Sequence, residues 1–285
     1  MTGRIDDALV KTAHELADLA GRTVLPFFRR RIAVENKDAD GGFDPVTRAD
    51  KAAERVMRRH IAKAWPGHGI VGEEFAPEAG TGRHEWILDP IDGTKAFITG
   101  TPMWGTLIGV LEEGAPLIGM MDQPYTRERF WGSPRGAFLR RPDGKETRIR
   151  TRACANLGDA ILGTTSPDLF RSKGEQEGFG AVARAVRLTR YGGDCYIYCL
   201  LAAGHFDVVI EASLKAVDIA PLIPIIERAG GRVTSWTGGP ATAGGNVVAS
   251  GDPTLHEKVL ELLTNPGRAR IAADAKPARA RGQGS

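Results

Sequence analysis

The stretch Trp86-Ile87-Leu88-Asp89-Pro90-Ile91-Asp92-Gly93-Thr94-Lys95-Ala96-Phe97 decides how the chain is read. Trp86, Ile87 and Leu88 form an apolar run that reads as a short buried strand, and it stops at Asp89. Pro90 removes a backbone donor and Gly93 permits a tight turn, so the chain is expected to leave the sheet here. Two carboxylates on a turn at the end of a buried strand suit a hard divalent cation, which takes oxygen ligands. Gly93 and Thr94 read as the opening of a helical turn, whose free N–H groups can hold an anion. A cation site beside an anion site points to a phosphate ester polarised by metal. Taken singly, Asp-Pro and Asp-Gly are also ordinary turn dipeptides.

Working outward, Gly69-Ile70-Val71-Gly72-Glu73-Glu74 lies upstream, and Val217-Asp218-Ile219-Ala220-Pro221 followed by Glu227-Arg228-Ala229-Gly230-Gly231 lies far downstream. These three motifs, in this order, resemble the signatures of the inositol monophosphatase-like family of metal-dependent phosphatases. The resemblance implies an α+β fold, the family's layered α-β-α-β-α sandwich. It also implies two to three Mg2+ ions. Glu73, Asp89 and the carbonyl of Ile91 would hold the first, and Asp89, Asp92 and Asp218 the second, with Asp89 bridging. Thr94 and Glu73 would sit beside the nucleophilic water, and the amides of Gly93 and Thr94 would receive the phosphate oxygens. Divalent ions acidify water, which fits three motifs without a histidine. Glu74 reads equally well as a surface or supporting acid and as a direct participant.

Thr47 and Asp50 stand three apart at the start of a helix expected over residues 48–64. One reading is a capping box, with Thr47 as N-cap. The other comes from the resemblance: Val46-Thr47-Arg48-Ala49-Asp50 falls on a family motif that helps hold a further, weaker metal.

Composition bounds the rest. A chain of 285 residues can bury a large core, and 42% hydrophobic with 26% charged residues is ordinary for a globular protein. The net charge of +3 belongs to the end of the chain, where Arg268, Arg270, Lys276, Arg279 and Arg281 face only Asp274. Residues 1–265 are nearly neutral, which argues against a nucleic-acid partner. Cys154, Cys195 and Cys199 form no CxxC pair, so buried reduced thiols in a cytoplasmic protein are expected. Neither a signal peptide nor an apolar run long enough for a bilayer is visible, so no membrane role is expected.

Along the chain, Ile5, Leu9, Ala13, Leu16, Ala20, Val24 and Phe27 predict a long amphipathic helix that Pro26 kinks or ends. A polar Gly-rich loop follows over residues 36–44, and residues 75–83 read as a loop suited to a lid. Residues 105–140 alternate apolar runs with turns, which predicts an antiparallel meander. From Ala155 strands alternate with helices, including helices over 195–203, 219–229 and 254–263. The division expected is an N-terminal part over 1–150 carrying the metal motifs and a C-terminal part over 151–265 completing the site and pocket. A basic tail over 266–285 is too poor in apolar residues to build a core and is expected to be disordered.

Rival chemistries lack their parts: the chain has no GxxxxGK[ST], no GxSxG and no HExxH. For the substrate, Asp194 and Glu211 add two carboxylates near a phosphate site, which is costly unless the substrate brings positive charge. The wording DPIDGTKAFITGTPMWGTLIGV and GGDCYIYCLLAAGHFDVVIE looks like the histidinol-phosphatase branch of the family. The resemblance therefore implies L-histidinol phosphate as substrate, with Asp194, Glu211, Lys95 and Gly193 at the substrate; inositol 1-phosphate or another monoester is the alternative. Asp194 also reads as a helix N-cap, and Lys95 as a rim residue. Family members pair as homodimers, which is the default here.

Overall fold

The computed structural model describes residues 2–31, 34–36 and 45–267. Most of the expected loop over 36–44 and most of the basic tail lie outside these residues. Helix α1 (Thr2–Val24) is followed by a 3-10 turn that contains Pro26. Strands β1 (Val34–Asn36) and β2 (Pro45–Thr47) pair, and α2 (Arg48–Ala64) begins directly after them. The next elements are β3 (Gly69–Gly72), β4 (His84–Asp92) and α3 (Thr94–Thr99). The meander comprises β5 (Gly105–Glu112), β6 (Ala115–Gln123), β7 (Glu128–Ser133), β8 (Gly136–Arg140) and β9 (Glu146–Arg148). Then come β10 (Ile161–Thr164), α4 (Lys173–Ala185), β11 (Leu188–Tyr191) and α5 (Asp194–Ala202). The chain closes with β12 (Val208–Leu214), α6 (Ala216–Ile219), α7 (Ile223–Ala229), β13 (Arg232–Ser235), β14 (Gly245–Ser250) and α8 (Pro253–Thr264).

A seven-stranded sheet runs in the order β3-β4-β5-β6-β7-β8-β9 and a five-stranded sheet in the order β11-β10-β12-β14-β13. Alternation along the strands sorts the cores into layers. Ile108 and Val110 of β5 pack with Leu9, Leu16 and Met57 of α1 and α2. Leu107 on the opposite face joins Cys199 of α5, Ile226 of α7 and Val209 of β12. Val208 and Ile210, on the far face of the smaller sheet, pack with Val182 of α4 and Val259 of α8. The succession helix, sheet, helix, sheet, helix is the expected sandwich, and the apolar area closed between layers is its main driving force.

Two expectations need correction. Residues 219–229 are not one helix, because Pro221 separates α6 from α7. The break lets backbone approach the sheet: Gly109, Gly119 and Gly132 are register partners across β5, β6 and β7. A Cβ on Gly119 would lie 1.8 Å from the Pro221 carbonyl oxygen, and one on Gly132 would lie 2.1 Å from that of Pro224. Only glycine permits this contact. The second correction concerns β4, which does not end at Asp89.

Candidate active site

Strand β4 runs to Asp92, with a register shift between Asp89 and Asp92 before pairing resumes at Gly105. Trp86 and Leu88 face α1 and α2, whereas Ile87 packs on Val217 of α6 and on Ala220 just after it. Alternation therefore turns Asp89 toward α6. Without the irregularity, Ile91 would follow it; instead Ile91 is buried in the α1–α2 core, which leaves Asp92 on the side of Asp89. The bulge is what brings two carboxylates three residues apart onto one face. The carbonyl of Pro90, freed from the ladder, accepts from Thr106 Oγ1 at 2.8 Å.

Asp218, in the first turn of α6, accepts from the Lys215 amide at 2.7 Å. Ligand oxygens of Asp89, Asp92 and Asp218 all lie within 4.8 Å of one another. Glu73 follows β3, its amide bonded to the Leu88 carbonyl at 3.1 Å, and its Oε1 accepts from Lys215 Nζ at 3.1 Å. Burial raises the Asp89 carboxyl well above the usual range, and the charges of Glu73, Asp92 and Asp218 push the same way. Asp92 is raised by burial, then by Asp218 and Asp194, against the Cys195 amide that donates to its Oδ2 at 2.8 Å. Buried like charges at this separation oppose one another, and an all-oxygen donor set of this kind suits a hard cation. The cluster is therefore one that could hold a metal ion.

These carboxylates open on a cavity of about 490 Å³ lined also by Gly93, Thr94, Lys95, Asp194, Tyr198 and Glu211. Gly93 is the N-cap of α3 at φ +82, and a Cβ there would meet Asp194 at 2.9 Å. Thr94 Oγ1 donates to the Ile91 carbonyl at 3.1 Å, which leaves its lone pairs for another donor. Asp194 is not a cap. Gly193, at φ +136, holds the N-cap position of α5 without a side-chain bond, and Asp194 is its first residue at φ +43. A non-glycine residue in that region is strained, and here it accompanies a carboxylate turned to the cavity. Burial lifts the Asp194 carboxyl to about 6, against the pull of Lys95. Glu211 is 3% exposed, its Oε1 accepting from Thr165 N at 2.6 Å and Thr164 Oγ1 at 3.2 Å. Burial raises it to about 7.

Two sequence candidates do not line the cavity: Gly193 and Asp50. Asp50 is buried in the capping box, its Oδ2 accepting from the Thr47 amide at 2.9 Å and from the Thr47 hydroxyl at 2.5 Å. Glu74 also lies off the cavity lining; its amide binds Glu54 Oε2 at 2.7 Å. Sequence reasoning missed Tyr198, Lys215, Thr165 and Arg171, all lining residues. Tyr198 carried one signal, its place one turn after Asp194 on the same helix face.

A family model, the inositol monophosphatase family, matches residues 6–267. A bifunctional phosphatase of Arabidopsis thaliana, chloroplastic IMPL2, is 41% identical over 90% of this chain and 75% of its own length. A histidinol-phosphatase of Streptomyces coelicolor is 36% identical over 92% of this chain and 98% of its own. The solved structure of an inositol monophosphatase from Zymomonas mobilis superposes with a TM-score of 0.79 at 40% identity, covering 90% of this chain and 98% of that one. The motifs, the layered fold and the acidic cavity agree with these matches, and the chain belongs to the inositol monophosphatase family of phosphatases.

Proposed function

We propose that the protein is a magnesium-dependent histidinol-phosphatase, converting L-histidinol phosphate and water to L-histidinol and phosphate. The observation that carries this reading is the pair Asp194 and Glu211. Both are acids inside the cavity that holds the Asp89, Asp92 and Asp218 cluster. Metal ions can neutralise the cluster, while these two acids lie beyond it and favour a ligand that brings positive charge. An ester carrying an amine and an imidazole supplies that charge; inositol phosphate does not.

Glu73, Asp89, Asp92, Asp218 and the Ile91 carbonyl would hold two magnesium ions, with Asp50 near a further, weaker one. Magnesium, when bound, supplies Lewis acidity toward phosphate oxygens and lowers the pKa of water. The chain's own residues do the positioning. Thr94, donating to the Ile91 carbonyl, can accept a hydrogen from the attacking water, and Glu73, which lines the same cavity, would act beside it. The amides of Gly93 and Thr94 would receive the phosphate oxygens, with Lys95 at the rim. Asp194 and Glu211 would grip the cationic half while the phosphorus–oxygen ester bond breaks and the water oxygen joins phosphorus.

Steady-state kinetics on a panel of esters, with Mg2+ present and withheld, test the reading. L-histidinol phosphate should show the highest kcat/KM and require the metal. A clear preference for inositol 1-phosphate removes the substrate assignment while leaving the phosphatase intact. The reading includes a homodimer, carried by the family resemblance and checked by sedimentation.

A further inference from the structure

Helix α5 places a second residue with a polar group at the cavity wall besides Asp194. Tyr198 is 3% exposed, lines the cavity, and its buried hydroxyl has no hydrogen-bond partner among the described residues. A buried hydroxyl without a partner is costly, so its retention asks for an explanation. The neighbouring Tyr196 shows the ordinary arrangement: its hydroxyl is half-buried and donates to Glu128. Tyr198 instead lines the cavity together with the carboxylates of the site. Burial, then the charges of Glu211, Asp92 and Asp218, push its phenol well above the ordinary range, so the hydroxyl keeps its proton and can both donate and accept.

We infer that Tyr198 contacts the leaving-group half of the substrate, its hydroxyl accepting a hydrogen bond from the amino-alcohol portion that Glu211 also receives. A phenol suits this place better than a third acid would. It takes an N–H hydrogen bond without adding negative charge to a cavity that already concentrates five carboxylates, Glu73, Asp89, Asp92, Asp218 and Glu211, besides Asp194. It also discriminates, since an ester without a donor at that point leaves the hydroxyl unpaired. This rests on the reading of the cavity as a site for an amine-bearing ester.

The experiment compares Tyr198→Phe with Tyr196→Phe, using L-histidinol phosphate and inositol 1-phosphate with Mg2+. Tyr198→Phe should raise KM for L-histidinol phosphate about tenfold, the loss expected for a hydrogen bond to a charged group, with kcat within about threefold. Its melting temperature should not fall, because no internal bond is lost. Tyr196→Phe should do the reverse, lowering the melting temperature and sparing KM. If wild-type protein prefers L-histidinol phosphate and Tyr198→Phe leaves its KM within twofold, the inference is overturned and the substrate reading survives. If wild-type protein prefers another ester, the substrate reading fails, and Tyr198 is judged on that ester: a fivefold rise in KM sustains the contact and an unchanged KM ends it. A large loss of melting temperature in Tyr198→Phe would assign the residue to the core instead.

Discussion

The amide of Cys195 donates to Asp92 Oδ2 at 2.8 Å, joining residues 103 apart in the chain. Asp92 ends β4 of the larger sheet, and Cys195 lies in the first turn of α5, which packs between the two sheets. One hydrogen bond thus sets where the turn proposed to ligate metal stands relative to Asp194, the neighbour of Cys195. The charge of Asp194 is felt at Asp92 in return. The proposed cation site and the proposed substrate acid Asp194 are therefore coupled by direct contact between the strand and the helix.

Asp92→Asn separates the two roles of this residue. Asparagine keeps an oxygen for the Cys195 amide but takes one charge out of a crowded cluster. Turnover should fall at least about a hundredfold, as expected when a ligand to a catalytic metal is weakened. The melting temperature without divalent metal should stay level or rise. Near-normal magnesium-dependent turnover in this variant would remove Asp92 from the ligand set.

Glu211 makes stability depend on pH. Its carboxyl is raised from 4.5 to about 7 by burial, so the folded chain keeps a proton that the unfolded chain has already lost. Below about pH 4.5 both states are protonated and this penalty is absent. Between 4.5 and 7 stability is lost as pH rises, by about 3 kcal/mol from this group, and it levels off above. Glu211→Gln should flatten that limb in denaturant titrations of the metal-free protein between pH 5 and 8. Parallel curves for variant and wild type would show that Glu211 does not titrate there.

Much of this site was legible in sequence for identifiable reasons. The bounds of α2 follow from local chemistry: Thr47 and Asp50 cap it and Trp65-Pro66-Gly67 stops it. The triad Asp89, Asp92 and Asp218 was legible through motif resemblance, and the structure brings the three together. The bulge was not legible, because Pro90 announces an interruption without saying which side chains it turns. The break at Pro221 was missed because proline is tolerated in a first helical turn; the glycine row opposite gives the break its purpose. That the Tyr198 hydroxyl has no partner among the described residues is a property of its surroundings, which no local pattern encodes.

Glu54 supports the site from below. It is fully buried on α2, its Oε1 accepts from Arg58 Nε at 2.7 Å, and its two oxygens receive the amides of Glu74 and Phe75 at 2.7 and 3.3 Å. Arg58 continues to the Phe75 carbonyl and Glu78, so the start of the loop over 75–83 is pinned to α2. Glu54→Ala leaves Arg58 and two amides short of a partner and should cost about 3 kcal/mol or more of stability. It should also weaken magnesium dependence through Glu73, the residue just before the freed amides. A Glu54→Ala protein with wild-type stability would show that the turn does not need this anchor.

Asp194→Asn tests the substrate acid with the backbone preserved, since asparagine tolerates a positive φ as well as aspartate does. KM for L-histidinol phosphate should rise about tenfold for the lost charged hydrogen bond, and more than for inositol 1-phosphate. The wild-type carboxyl, held at about 6, is ionised above that pH. KM for the amine ester should therefore fall between pH 5 and 7 in wild type, and this limb should vanish in the variant. Equal effects on both esters would place Asp194 in a general structural role.

Magnesium should act on the fold as well as on the reaction. Asp89 and Asp92 are carboxyls that burial and neighbouring acids hold well above their ordinary range, so ionising the cluster within 4.8 Å is costly in the metal-free fold. A cation bound by the folded state alone stabilises it by about 2.7 kcal/mol at one hundred times its dissociation constant. For a chain of this size that amounts to several degrees in melting temperature. Scanning calorimetry at rising Mg2+ should show the shift, and Asp218→Asn, which lacks one of the three clustered charges, should show a smaller one at the same concentration. Calcium, another hard cation for oxygen ligands, should also raise the melting temperature, whereas sodium at equal ionic strength should not. A shift that sodium reproduces would be charge screening, and the cluster would then have no specific claim on a divalent ion.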